Sequence, residues 1–204
     1  MTEKNYYILK YKACGAECPI RLSGRLNQHK WEWDGFETKP NDVDIVKNYE
    51  FTVSDRKIKS LEFDFYGYLT KFVSEKFLKV CDDLNVKFRA VPLKFIVQKK
   101  EIDKKYYIFL PVDHFSLLDA ELSEFEAVRD DETGELFEDK IYPGQVVYEN
   151  ITKFVISDGE FPHLFKCSEI LELVCTREFM QLAIERGLNC IDFIPLDVNF
   201  KYNT

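Results

Sequence analysis

The sequence predicts an α+β fold: a mixed or antiparallel sheet with a few helices, arranged as two similar α/β halves packed together. Three observations lead there. Strand-like and helix-like runs follow one another without regular alternation. Two hydroxyl-capped helical stretches each run into an apolar segment ending in Pro-Leu, at Pro92-Leu93 and Pro195-Leu196. A tyrosine-rich strand occurs twice, as Tyr6-Tyr7-Ile8-Leu9 and Tyr106-Tyr107-Ile108-Phe109. Both echoes are about a hundred residues apart, which sets sub-halves near 1–100 and 101–204 within one domain. Strand–helix–strand units also resemble one another in α+β proteins without duplication, so both readings stay open.

Residues 5–12 (N-Y-Y-I-L-K-Y-K) are rich in β formers and read as the first strand. Gly15, Pro19 and Gly24 make residues 14–25 a loop. Trp31-Glu32-Trp33 alternates aromatic and polar as a strand face would, then turns at Asp34-Gly35. Residues 49–54 read as a strand, and 58–65 (I-K-S-L-E-F-D-F) as half-buried β. Ser74 caps the first helix, whose Phe77, Leu78, Cys81 and Leu84 share a face. Residues 86–97 are extended and interrupted by Pro92, and 105–110 form an apolar strand ended by Pro111. Residues 112–126 read as loop plus strand. A hairpin tip follows at residues 130–135 with Gly134 supplying positive φ, then a turn at Pro143-Gly144. Residues 145–157 hold strand material on both sides of Asn150, Asp158-Gly159 turns the chain, and 164–166 is a short strand. The last unit begins at Thr176, an N-cap followed by Glu178 in the first turn. Phe179, Met180 and Ala183 share its helical face, and Gly187 is its C′ residue. Cys190 to Ile194 then reads as a buried strand stopped by Pro195.

With 204 residues, 18 Phe and 11 Tyr, the chain can bury a core without staples. No apolar leader region opens the sequence after Met1-Thr2-Glu3-Lys4, and no run approaches a membrane span, so a cytoplasmic location is expected. The six cysteines are then expected to be reduced. Charge is uneven. Residues 1–100 carry 19 Lys+Arg against 14 Asp+Glu (+5), and residues 101–204 carry 9 against 22 (−13). The acid concentrates between Asp113 and Asp139, a surface that repels nucleic acid and suits either a basic protein partner or plain solubility. Asp130, Asp131, Glu132, Glu135, Glu138 and Asp139 are the candidate partner-binding residues. Trp31 and Trp33 could serve a core or an interface.

Motifs for chemistry are sparse. Cys14-x3-Cys18 could be half of a zinc site, but the sequence shows no second close pair, and His29, His114 and His163 are isolated. No metal and no cofactor is therefore expected. Cys14 or Cys18 with His29 or His114 would be needed for a thiol–imidazole enzyme. No nucleophile elbow, phosphate-binding loop or nucleic-acid-reading motif occurs.

The order of features resembles a bacterial immunity-protein family of polymorphic toxin systems, first catalogued as a domain of unknown function in a Myxococcus protein. The residues carrying it are Tyr6–Leu9, Phe72-Val73-Ser74-x-x-Phe77, Tyr106–Phe109, Val112-Asp113 and Leu118-Asp119 to Ser123. They continue with Ile151 to Asp158, Leu164-Phe165-Lys166, Cys175-Thr176-x-x-Phe179, Ala183 to Leu188 and Ile191 to Pro195. The chain departs from that pattern at Asn189-Cys190, where the family often has a glycine, and in the acidic hairpin around Gly134. The resemblance implies a non-enzymatic cytoplasmic antitoxin that neutralises a cognate toxin domain by stoichiometric occlusion, touching neither nucleic acid nor membrane and leaving a homodimer open. The competing expectations are a small thiol/histidine enzyme and an adaptor without a toxin.

Overall fold

The computed structural model describes residues 5–203, so the Met1–Lys4 opening lies outside the described residues. The strands and helices run in chain order β1 (Tyr6–Tyr11), β2 (Gly24–Leu26), β3 (Tyr49–Val53), β4 (Phe65–Tyr66), β5 (Lys71–Ser74), α1 (Glu75–Asp83) and β6 (Phe88–Val97). They continue with β7 (Lys100–Glu101), β8 (Tyr106–Pro111), β9 (His114–Phe115), β10 (Glu124–Ala127), β11 (Tyr148–Lys153) and β12 (Leu164–Cys167). The chain closes with β13 (Glu172–Thr176), α2 (Arg177–Glu185), β14 (Ile191–Leu196) and β15 (Tyr202–Asn203). The fold is α+β with mixed sheets. One sheet has the order β14-β1-β13-β12-β9, a second β2-β3-β6-β8-β5-β4 with β7 on β6, and a small third β10-β11-β15. Parallel pairing is confined to β3–β6 and β9–β12 among the named strands.

The two echoes seen in sequence occupy matching places. In the second sheet β8 lies between β6 and β5, all antiparallel; in the first, β1 lies between β14 and β13, also antiparallel. The registers agree residue by residue. Ser74 faces Tyr106 as Thr176 faces Tyr6. Pro92 faces Tyr107 and Leu93 faces Tyr106, as Pro195 faces Tyr7 and Leu196 faces Tyr6. Both helices close with the same backbone bonds: Val86 N to Cys81 O and Leu188 N to Ala183 O, each 2.9 Å. In each, the residue before takes a left-handed conformation, Asn85 at φ 53° and Gly187 at φ 64°. Val112 N bonds Lys87 O at 3.2 Å, and Lys12 N bonds Cys190 O at 3.0 Å. The packed units are not the consecutive halves of the chain. Each central strand comes from the other half: β1 with β13-α2-β14, and β8 with β5-α1-β6.

The helices meet at equivalent side chains. Phe77 and Phe179, each three residues past its cap and fully buried, stand edge to face with centroids 5.8 Å apart. They join Phe65, Phe109, Val73 and Cys175 in the central apolar cluster. A second cluster, around Phe63, Phe95, Tyr49 and Tyr106, fills the β3-β6-β8 side, and a third, around Ile8, Phe154, Phe165 and Val174, fills the β1-β12-β13 side.

Several expectations need correction. Pro92 does not interrupt β6. It is exposed, and β3 pairs with β6 only from Leu93 on, so no ladder bond is demanded of its missing N–H on that side. Pro195 does not stop β14, and β14 is not buried: it is an edge strand with alternating exposure. Residues 58–64 carry Ile58, Leu61 and Phe63 into the core but lie outside the named strands. Trp31 and Trp33 stand in a loop, stacked at 5.0 Å and packed on Tyr49; Trp33 is buried, which makes this a core arrangement rather than a strand face.

Candidate functional site

The acidic segment forms an extended arm beyond the small third sheet. Bridges at Arg129–Leu136 and Glu138–Val146 close two successive hairpins, and Gly134 (φ 71°) and Gly144 (φ 83°) make the reversals that the sequence predicts. The six candidate acids divide into two kinds. Asp130 Oδ1 accepts from the Glu132 and Thr133 N–H groups and the Thr133 hydroxyl, at 2.8–3.0 Å. Those bonds hold its carboxyl below the usual carboxylate range, those from Thr133 and Glu132 backbone foremost. Asp139 Oδ1 accepts from Ile141 N at 2.7 Å and Tyr142 N at 3.1 Å. These two half-buried acids use Oδ1 to brace their own turns. Asp131, Glu132, Glu135 and Glu138 are exposed, and of these Glu138 gives one oxygen to Gly144 N at 2.6 Å.

Apolar side chains stand among these acids. Leu122 is 59% exposed, Leu136 46% and Phe137 44%. Leu136 helps line an open groove of about 820 Å³ with Leu118, Phe125, Val146 and Tyr148, at whose edge sit Asp131 and Glu126. Phe137 lies instead with Asp130, Asp131 and Glu132 in a separate surface depression. Consecutive residues on an extended chain point to opposite sides, which puts one apolar side chain on each face of the arm. Sequence reading found the acids by density but missed Leu136 and Phe137, whose exposure is set by the absence of a covering layer.

The candidate thiol–imidazole pairs do not form. His114 uses both ring nitrogens, Nδ1 with the Tyr142 hydroxyl at 2.8 Å and Nε2 with Pro111 O at 3.2 Å, while His29 is exposed. Burial pulls the His114 pKa below the ordinary imidazole value. Among the described residues no hydrogen bond joins a cysteine sulfur to an imidazole. His114 instead lines a cleft of about 220 Å³ with Trp31, Trp33, Lys71 and Lys166. Burial lowers the pKa of both lysines, and Glu172, 3.3 Å from Lys71 Nζ and also bonded to Lys10, opposes that for Lys71. The buried charges of Lys71 and Glu172 thus answer one another at the cleft wall.

The cysteines hold a surprise for the zinc expectation. Cys14 and Cys18 lack a second pair in sequence, but the fold brings Cys190 to them, and the three sulfurs lie within 4.8 Å of one another. All six cysteines are free thiols. No signal of local spacing could have found this group, because Cys190 arrives at the entrance of β14, beside the end of β1 and far along the chain from Cys14 and Cys18.

No helix among the described residues is long and apolar enough to cross a membrane. A scan of protein-family models found no match to the chain, and a comparison with curated proteins found none either. The functional reading therefore rests on the chain's own surface.

Proposed function

We propose that this protein is a non-enzymatic binding module of the immunity type, which occludes a basic toxin domain by docking it on the acidic arm. The observation that carries the reading is one segment whose exposed Asp131, Glu132, Glu135 and Glu138 stand beside an apolar side chain on each face, Leu136 in the groove with Leu118, Phe125 and Tyr148, and Phe137 on the other. Interfaces combine an apolar centre with a polar rim, and charge there steers encounter more than it adds affinity. The excess of 22 Asp+Glu over 9 Lys+Arg in residues 101–204 fits a cationic partner, such as the substrate cleft of a nuclease. Occlusion needs no reacting group, and the arm offers none.

The test is to express the C-terminal domain of the protein encoded next to this gene, measure its toxicity, and read growth rescue and co-purification on co-expression with this chain. Reversing Asp131, Glu132, Glu135 and Glu138 to Lys together is expected to slow association by about tenfold or more at low salt and to flatten its salt dependence. Leu136→Ala with Phe137→Ala is expected to speed dissociation instead. Asp130 and Asp139 are left intact, because their loss would unmake the turns. Unchanged kinetics in both variants would remove the arm from the interface, and absence of rescue and of co-purification would remove the immunity reading.

A further inference from the structure

The cluster of Cys14, Cys18 and Cys190 stands apart from the acidic arm and has no part in the function proposed above. Its geometry is specific. Cys18 and Cys190 are buried and Cys14 is exposed, so the group opens to solvent on one side. Cys14 and Cys18 sit on a turn closed by Cys18 N to Gly15 O at 3.2 Å, with Gly15 at φ 102°. The same turn is tied to the neighbouring chain by Glu62 N to Glu17 O at 3.0 Å. Cys190 is held from both sides: its carbonyl accepts from Lys12 N at 3.0 Å, and the preceding Asn189 N donates to Asp64 Oδ2 at 2.8 Å.

The matched unit shows what is unusual here. At the equivalent place the first unit passes from Val86 through Lys87 to Phe88; the second passes from Leu188 through Asn189 and Cys190 to Ile191. The second loop is one residue longer, and Cys190 takes a left-handed conformation at φ 66° that a side chain with a Cβ adopts only against resistance. Since Lys87 O and Cys190 O accept the matched bonds, the added residue is Asn189, immediately before the one that delivers the third sulfur.

We propose that Cys14, Cys18 and Cys190 form a three-thiolate site for one thiophilic d10 cation, zinc(II) or copper(I). Thiolate sulfur selects these ions over harder ones. Around zinc with bonds near 2.3 Å, tetrahedral sulfurs are about 3.8 Å apart, so the three must draw in by about 1 Å at most. Rotation of the exposed Cys14 side chain beside Gly15 can supply that. Among the described residues no fourth histidine, cysteine or carboxylate joins the group, so zinc would complete its shell with one water on the Cys14 side and copper(I) would stay trigonal. Binding is a proton exchange: the cation and three thiols give three metal–sulfur bonds and three released protons, with no change of oxidation state. Loading would tie the loop after β1 to the entrance of β14.

The test uses the full chain, reduced and stripped of metal, titrated with zinc(II) against a chromophoric chelator, with cadmium(II) as the charge-transfer probe, and separately with copper(I). One equivalent should bind, three protons should be released, and the cadmium absorbance should report three thiolates. Cys14→Ser, Cys18→Ser and Cys190→Ser should each weaken binding by more than the ~10-fold typical of a supporting contact, and Cys81→Ala should not. Because a buried-cysteine variant can fail to fold, wild-type protein is also alkylated: the bound cation should protect Cys14. Binding by zinc alone or copper alone assigns the ion. Absence of stoichiometric uptake by the wild type overturns the proposal, as does alkylation of Cys14 at an unchanged rate. If the chain takes up no cation and oxidised glutathione instead converts the Cys18 and Cys190 thiols to a disulfide, releasing two glutathione thiols, the proposal is overturned in favour of a redox pair.

Discussion

The β5-α1-β6 and β13-α2-β14 units share a backbone plan but brace it with different chemistry. In the first, Ser74 N bonds Asp64 O at 3.1 Å and the Ser74 hydroxyl donates to Asp64 Oδ1 at 2.7 Å. In the second, Thr176 N bonds His163 O at 3.0 Å and the Thr176 hydroxyl meets His163 Nδ1 at 2.9 Å. One position is a carboxylate 1% exposed, serving Ser74, Asn189 N and Lys104 Nζ together. The other is a half-buried imidazole whose side chain meets the Thr176 cap. The backbone pattern thus survives exchange of the side chain, while the energetic weight moves to the unit holding the carboxylate. Asp64 also joins the two units, because Asn189 belongs to the second.

The largest effects should come where the units touch. Phe77→Ala and Phe179→Ala are each expected to cost about 3–5 kcal/mol in urea unfolding, as for a large aromatic cavity. Their rings are in contact, so the double variant should cost less than the sum; full additivity would show that the helices do not share one core. Next comes the contrast of braces. Asp64→Ala strands a buried hydroxyl and a backbone N–H and leaves Lys104 with Glu62 alone, and should cost about 3–5 kcal/mol. His163→Ala removes one side-chain hydrogen bond and should cost about 1 kcal/mol. Equal losses would mean the two braces are equivalent after all. The smallest contrast lies at the helix ends. Gly187→Ala, at φ 64°, should cost about 1 kcal/mol, and Asn85→Gly, at φ 53°, should change stability by only a few tenths of a kcal/mol. A stabilising Gly187→Ala would contradict the left-handed closure.

Much of this plan was legible because it is local. Ser74, Thr176, Gly187 and the Tyr-Tyr-Ile strands announce caps, an end and two ladders within a few residues each. What escaped depends on partners far along the chain. Asp64 alternates with Phe63 and Phe65 in sequence and so read as a solvent-facing position, yet it is buried because Ser74 and Lys104 come to it. The buried strand β13 (E-L-V-C-T) escaped because a continuous apolar run has no period to read. The six acids read as one class, and only the hydrogen bonds of Asp130 and Asp139 separate those that build the arm from those that face outward. Cys190 read as the start of an apolar strand, with nothing in its neighbourhood to link it to Cys14.

Because β1 pairs with β13 and β14, it is synthesised long before the strands that complete its ladder. Its partners lie more than 160 residues downstream, at Thr176 and Leu196. Until they are synthesised, Tyr6, Ile8 and Leu9 have no native ladder, and closing that long a loop slows folding relative to a chain of local hairpins. A chain cut short before Glu172 would lack both ladders for this tyrosine-rich strand and leave its apolar side chains uncovered, so β13 and β14 are the segments whose arrival completes the sheet.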